Sequence, residues 1–425
     1  MTKNLEHMIH PIGGHRPLRI THVITSLTVG GAQQLLLDIC LEMRAHGHDV
    51  RVIGLRGGSM AQEFRKRGFE TSEFLMENMV SLPTLFRLTV LLKQQRPWIV
   101  HTHLGRADSY GRVAAWLAGV PRIVTTVHNV DAWKAKWYLR WIDAVTSRAA
   151  HRLIACSGRV AEHLRAIGLV PMDKVTVLRN GIRLQDWRDE PSPVAVSALR
   201  QDLGVKNNEF VIGVIGRLEP QKGHVYLLQA LASFKSSLPA FRLCIVGEGT
   251  LREELERLVV KFGLASNVTF AGVRHDMRLV YAAVDLVVMP SLWEGLPITL
   301  LECMASRRPV VATDVGGISE IIQPEHNGLM VPPKSSEALA AAIQRCMQSP
   351  ESTRARVEAG FETVRREFSV EQLVDKVLAL YRQLDAAFTA GQALKPPPSA
   401  ANAGNAASAG LPVAGKSRLR PARKA

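Results

Sequence analysis

Glu294 and Glu302 are two carboxylates with seven residues between them, set around an apolar Gly-Leu-Pro-Ile run in the stretch SLWEGLPITLLECMASRRPVVATDVGG, residues 291–317. A carboxylate in such a run is costly to bury unless something hydrogen-bonds it. Carboxylates only accept, so the natural partners are hydroxyl protons of the kind a sugar offers. Upstream, in IGRLEPQKGH, Arg217 and Lys222 follow Gly216 and supply two fixed cations. Arg binds through a planar fork and Lys as a point charge, a combination suited to a diphosphate. Each pair also has an ordinary explanation: early acids favour a helix dipole, and surface loops are often basic. Paired carboxylates also suit a hydrolase. Phosphate-suited cations in the same half of the chain favour sugar-hydroxyl binding over these readings.

The first half of the chain holds weaker signals. Gly30 and Gly31, in SLTVGGAQQ, stand between a strand and a helix and suit a tight turn that a ligand can approach. His128 ends the run RIVTTVH, where a side chain can point into a cleft. His101 and His103 alternate as HxH, but no third ligand is evident in the sequence and no metal is expected. Trp133, Trp137 and Trp141 recur every four residues among Lys134, Lys136 and Arg140, the composition of an interfacial helix. An ordinary core-facing stripe is the favoured reading, because the segment lies inside a domain.

These residues need strands to hold them. Strand candidates are LRITHVIT (18–25), HDVRVIGL (48–55), WIVHTHL (98–104), RIVTTVH (122–128), RLIACS (152–157) and KVTVLRNG (174–181). A second set is FVIGVIGRL (210–218), FRLCIVGEG (241–249), NVTFAG (267–272), LVVMPS (286–291), PVVATD (309–314) and GLMVPP (328–333). Alternation of such runs with amphipathic helices implies two α/β domains, each a doubly wound, Rossmann-like parallel sheet, facing a cleft. The expected boundaries are an N-terminal extension 1–17, a first domain 18–188, a second domain 189–368, a terminal helix 369–388 packing back on the first domain, and a disordered basic tail 389–425. The charged stretch 183–208, with Pro191 and Pro193, is the linker candidate. Pro297 is expected at the first position of a helix whose free amides suit a phosphate. Ser369 and Gln372 have the spacing of a capping box.

A chain of 425 residues with 47% hydrophobic and 21% charged residues has material for two cores and excludes fibrous or wholly disordered classes. Five scattered cysteines without a CxxC pair predict core thiols, not a disulfide framework or zinc site. No long apolar run and no secretory signal appear, so a cytoplasmic protein is expected. Of the net charge of +15, six charges fall in the last forty residues. The remaining excess suits anionic lipid, nucleic acid or a phosphorylated substrate.

The sequence resembles the family 4 retaining glycosyltransferases of GT-B architecture from about residue 18 to 385. The likeness is carried by VGGAQQLLLDI, VHTHLGRADSYGRVAAWLAGVPRIVTTVHN, VLRNGI, IGRLEPQKGH, VGEG and above all the Glu-x7-Glu segment PSLWEGLPITLLECMASRRPVVATDVGGISEII. It implies a UDP- or GDP-sugar donor and retaining, metal-independent transfer, without a cofactor, to a glycan or lipid-linked acceptor in polysaccharide, lipopolysaccharide or glycolipid synthesis. Carried over, Arg217 and Lys222 bind the diphosphate, Glu294 the donor sugar and Glu302 the ribose. Gly216, Gly295, Leu296, Pro297 and Ile298 meet sugar and phosphate, Gly30 and Gly31 admit phosphate or acceptor, and His128 contacts the sugar near the reacting centre. The catalytic set is then His128, Arg217, Lys222 and Glu294. After NGI the family commonly has an acid, and this chain has Arg183. The basic excess and the Trp-rich helix add an expected peripheral contact with the anionic inner face of a membrane. Nucleotide-sugar epimerase or phosphorylase, and a basic nucleic-acid-binding protein, are the competing classes; no nucleic acid is expected.

Overall fold

A computed structural model describes residues 17–76, 81–129, 137–168, 170–235 and 239–389 of the chain. The strands of the first domain are β1 (Arg19–Ile24), β2 (Asp49–Gly54), β3 (Glu70–Glu73), β4 (Ile99–His103), β5 (Arg122–Val127), β6 (Arg152–Ala155) and β7 (Val175–Val177). Those of the second are β8 (Phe210–Ile215), β9 (Phe241–Val246), β10 (Val268–Gly272), β11 (Leu286–Met289), β12 (Val310–Thr313) and β13 (Leu329–Val331). They form a seven-stranded sheet of order β3-β2-β1-β4-β5-β6-β7 and a six-stranded sheet of order β10-β9-β8-β11-β12-β13. Every ladder in both sheets is parallel. The α/β, doubly wound architecture expected from the alternating runs is the one observed.

Central strands such as β4, β5, β9 and β11 are buried along their whole length, because helices cover both sheet faces. Such burial favours apolar and β-branched residues, unbroken in LVVM of β11, and explains why β3 escaped the sequence reading. Its residues, ETSE, show no apolar pattern, since the strand forms the outer edge of its sheet and pairs only with β2. In each sheet the strand order reverses once, between β1 and β4 and between β8 and β11. Loops at the carboxyl ends of those strands open a crevice for ligands.

The stretch 183–208 is more structured than its prolines suggested. It contains the 3₁₀ turn Leu184–Trp187 and the helix Pro193–Asp202. The Ser192 hydroxyl accepts from the Ala195 amide at 3.2 Å, so Ser-Pro here starts a helix. That helix belongs to the second domain: Arg200 Nη2 pairs with Asp285 Oδ1 at 2.5 Å. The tryptophan helix, Trp137–Ser147, also departs from expectation. Trp137 and Trp141 are 78% and 62% exposed, so they do not face the core. Trp133, Lys134, Lys136 and the tail 390–425 lie outside the described residues.

The last helix, Val370–Thr389, packs against the first domain. The Ser369 hydroxyl accepts from the Gln372 amide at 3.2 Å, while the Gln372 side chain donates to Arg366 O, so only half of the capping box forms. Tyr381 OH lies 2.7 Å from His101 Nδ1. Arg122, almost wholly buried, stacks over Trp98 at 4.9 Å and Phe388 at 4.4 Å and pairs with Asp385 at 2.5 Å. Removing that side chain leaves a void between two rings and takes the Arg122 ion pair from Asp385. Arg122→Ala is expected to lower unfolding stability by about 2–4 kcal/mol, and Arg122→Met, which keeps the stacking volume, by less. Urea midpoints check this; equal midpoints for Ala and wild type would remove the clamp from the account.

Candidate functional site

At the carboxyl end of β8 the chain turns at Gly216 and runs through the short 3₁₀ turn Pro220–Lys222. Gly223 then adopts φ 61°, and a Cβ there would collide with the Pro290 carbonyl. This close approach sets Lys222 against the loop after β11. Lys222 Nζ lies 2.6 Å from Glu294 Oε1, Ser291 Oγ donates to the same oxygen at 2.7 Å, and Gln221 Nε2 donates to Glu294 Oε2 at 3.3 Å. Glu294 is thus buried and fully partnered by its own domain. Arg217 is exposed and reaches Gln221 Oε1 at 3.4 Å.

The helix Ile298–Ala305 begins one residue later than the sequence suggested: Pro297, with φ −73° and ψ 123°, is its N-cap. An extended ψ keeps the proline just outside the helix, and no side chain caps the first amides. Glu302 lies inside this helix, where Tyr281 OH donates to its Oε2 at 2.9 Å. Burial pushes the Glu302 carboxyl up to about 7, against the pull of that bond. Asp38, on the first-domain helix Gly31–Ala45, is likewise pushed up to about 7, chiefly by burial and then by Asp186. Its Gln34 hydrogen bond and Arg183, the residue that departs from the family pattern, act the other way, and Glu302 adds a further push. Asp38 was not singled out in the sequence, where an acid within an amphipathic helix carries no signal.

The two domains meet at the residues expected to be functional. A Cβ on Gly31 would approach Ile298 Cβ to 3.2 Å, so the loop after β1 abuts the start of the second-domain helix. A Cβ on Gly295 would strike the His128 carbonyl oxygen. Ser157 Oγ and the Gly317 amide both donate to Gly295 O, at 3.2 and 2.7 Å, and Asn180 Nδ2 donates to Leu296 O at 2.9 Å. Gly30, Gly31 and His128 thus face Gly295, Leu296, Pro297 and Ile298 across one crevice, with Gly216, Arg217, Lys222 and Glu294 on its second-domain wall. Ser157, Asn180, Gln221, Ser291 and Tyr281 complete the arrangement; Asn180, Gln221 and Ser291 lie inside the stretches VLRNGI, IGRLEPQKGH and PSLWEGLP, but none of the five has a role legible in the sequence.

Two family profiles match the chain: "Glycosyltransferase Family 4" over residues 29–186 and "Glycosyl transferases group 1" over residues 196–363. An alpha-maltose-1-phosphate synthase of Mycolicibacterium smegmatis is 30% identical over 68% of this chain and 79% of its own length. An uncharacterized glycosyltransferase of Methanocaldococcus jannaschii is 32% identical over 71% of this chain and 81% of its own. The chain belongs to the family 4 glycosyltransferases. It is also 27% identical, over 86% of its length and 97% of the relative's, to the UDP-Gal:alpha-D-GlcNAc-diphosphoundecaprenol alpha-1,3-galactosyltransferase of Escherichia coli. The crystal structure of Anabaena HepE with UDP and glucose has a similar fold, with TM-score 0.78 at 24% identity over 86% of this chain and 99% of that one. Sucrose-phosphate synthase of Thermosynechococcus elongatus is another likeness, at TM-score 0.72 and 22% identity over 87% and 100%.

In this glycosyltransferase the HxH pair has a third imidazole after all, because β1 lies beside β4 and brings in His22. The nitrogens face one another: His22 Nδ1 lies 3.0 Å from His103 Nε2, and His103 Nδ1 lies 3.0 Å from His128 Nε2. His101 spends both nitrogens on Tyr381 OH and Thr126 Oγ1, each at 2.7 Å. The set is therefore a hydrogen-bonded row ending at the crevice. Burial lowers His22 to about 3 and His128 to about 4, and holds His103 well below its usual value, so the rings are neutral near neutral pH.

A neutral ring carries one N–H, so two consecutive N–H···N bonds force His22, His103 and His128 to carry the proton on the same-named nitrogen. Nitrogen-15 spectra of the imidazoles should show all three as Nδ1–H or all three as Nε2–H; opposite tautomers at His22 and His128 would break the row. A second expectation concerns pH. The folded Glu302 carboxyl keeps its proton up to about 7, whereas the unfolded one releases it near 4.5. The folded state binds more protons in that window, so stability falls as pH rises through it. Glu302→Gln should flatten the decline in thermal midpoint, and an unchanged slope would contradict the assignment.

Proposed function

We propose that the protein transfers a sugar, with retention of configuration, from a UDP-sugar to a lipid-linked glycan acceptor at the inner face of the cytoplasmic membrane. The observation that carries this reading is the convergence of a cationic pair, Arg217 and Lys222, and two sequestered carboxylates, Glu294 and Glu302, on one inter-domain crevice. A UDP donor is supported by the Anabaena structure, which holds UDP and glucose, and by the UDP-galactose in the name of the E. coli relative. The lipid-linked acceptor is supported by the diphosphoundecaprenol in that same name.

In this reading the diphosphate draws Lys222 away from Glu294, and hydroxyls of the transferred sugar take its place on the carboxylate. Glu302 accepts from the ribose. When the bond between sugar C1 and the diphosphate breaks, its electrons leave with the phosphate oxygen. Arg217 and Lys222 offset the charge that accumulates there, a role that makes no demand for a metal ion. The acceptor oxygen bonds to C1 on the same face and its proton passes to the departing phosphate oxygen, with His128 against the sugar. Gly30 and Gly31 leave room for phosphate or acceptor because they carry no side chain.

The test is donor turnover across a panel of UDP- and GDP-sugars. Arg217→Ala and Glu294→Gln should each lower kcat/KM by about a hundredfold or more. Undiminished transfer in both would remove these residues from the site, and stabilisation by GDP-sugars alone would replace the donor.

A further inference from the structure

Nine of the fifteen exposed large hydrophobic side chains among the described residues lie on three neighbouring helices of the first domain: Leu82–Gln95, Gly105–Leu117 and Trp137–Ser147. The helices form one layer. Ser81 N donates to Tyr110 OH at 2.6 Å, tying the first to the second, and Arg112 pairs with Asp143 at 2.8 Å, tying the second to the third. Phe86 is 71% and Trp116 66% exposed, and Trp137 and Trp141, four residues apart, share a face of the third helix.

The charges on this layer are one-sided. Its only acids, Asp108 and Asp143, are buried, while Arg87 and Lys93 are exposed and Arg140 is half-exposed. Overall basicity does not explain this: the helix Arg252–Lys261 of the second domain carries Glu253, Glu254 and Glu256.

We propose that this layer docks on an anionic lipid surface. Aromatic and aliphatic side chains interleaved with Arg and Lys, and no exposed acid, are what an interfacial helix needs to enter the headgroup region of an anionic leaflet. A second copy of the chain fits poorly, because a two-fold contact would set the patch against itself, cation against cation. The position also suits the chemistry. Helices that follow parallel strands start at the carboxyl ends of those strands, so Leu82, Phe86, Trp137 and Trp141 lie on the crevice side of the layer. An acceptor held in the bilayer would then meet the mouth of the crevice. This inference rests on the proposed function only for its purpose, which is delivery of a lipid-borne acceptor.

The test is co-sedimentation of the full chain with phosphatidylcholine vesicles made with and without phosphatidylglycerol. Wild type should bind the phosphatidylglycerol vesicles. The double variant Trp137→Ala/Trp141→Ala should bind them about tenfold or more weakly, and Arg87→Glu/Arg140→Glu should lose the dependence on phosphatidylglycerol. A control with Arg418, Arg420, Arg423 and Lys424 changed to Gln should stay within about twofold of wild type. Three results would overturn the assignment: no binding by wild type, loss of binding in the tail control with none in the tryptophan variant, or a lipid-free dimer that the tryptophan variant dissociates. Donor turnover with a water-soluble acceptor should be unchanged in the surface variants. Its absence in wild type would overturn the proposed function and leave the lipid surface standing.

Discussion

The contact on which the crevice depends is the buried pair of Lys222 and Glu294. A carboxylate with almost no access to water is tolerable only if its lone pairs are filled, and here an ammonium, a hydroxyl and an amide fill them. Those three donors come from two loops more than sixty positions apart, after β8 and after β11. The pair therefore fixes the spacing of the two loops that flank the second domain's switch point. It also fixes the backbone of Gly295, against which the first domain closes. Removing either partner leaves an uncompensated buried charge, so positioning and charge compensation cannot be separated at this pair.

Closure has an electrostatic consequence. Glu302 and Asp38 approach the crevice from opposite domains, both drawn out of water and both holding their protons up to about pH 7. Carboxyls in that condition donate as well as accept. A hydroxyl-bearing ligand that donates to Glu302 would favour its charged form, so binding and deprotonation at that carboxyl are linked. The ionisation of Asp38 then feels the change, because the two groups are electrostatically coupled across the domain boundary.

Much of this was legible in the sequence. Central parallel strands are buried on both faces and read as apolar runs, so twelve of the thirteen strands appear as candidates. The thirteenth, β3, is an edge strand and has no apolar period to read. Glu294, Arg217 and Lys222 were legible because charged residues beside apolar strand ends are conspicuous, and Glu302 because it sits in an apolar helical run at a fixed spacing from Glu294. Ser291, Gln221, Asn180 and Ser157 were not, since a hydroxyl or amide that completes a polar site resembles any surface residue until the fold brings it near its partner. His22 was equally silent: it joins His103 only because β1 and β4 are neighbours, a fact of sheet order and not of spacing. The tryptophan repeat was legible as a stripe but not as a direction. Period alone cannot say which side of a helix faces the sheet, and here the aromatic side faces out.

The two halves of the crevice divide the polar work unequally. The second domain contributes fixed charges, Arg217, Lys222 and Glu294, while the first contributes glycine backbone, the titrating Asp38 and a row of neutral imidazoles. A neutral donor-acceptor row can pass through the interior of a parallel sheet where a charged one would need a counter-ion at each step. The row still presents a polar atom at the crevice, on His128. This lets the imidazole row reach a densely charged ligand site without adding charge to it. It leaves the exposed basic groups of the first domain's outer helix layer free to act on something other than the donor.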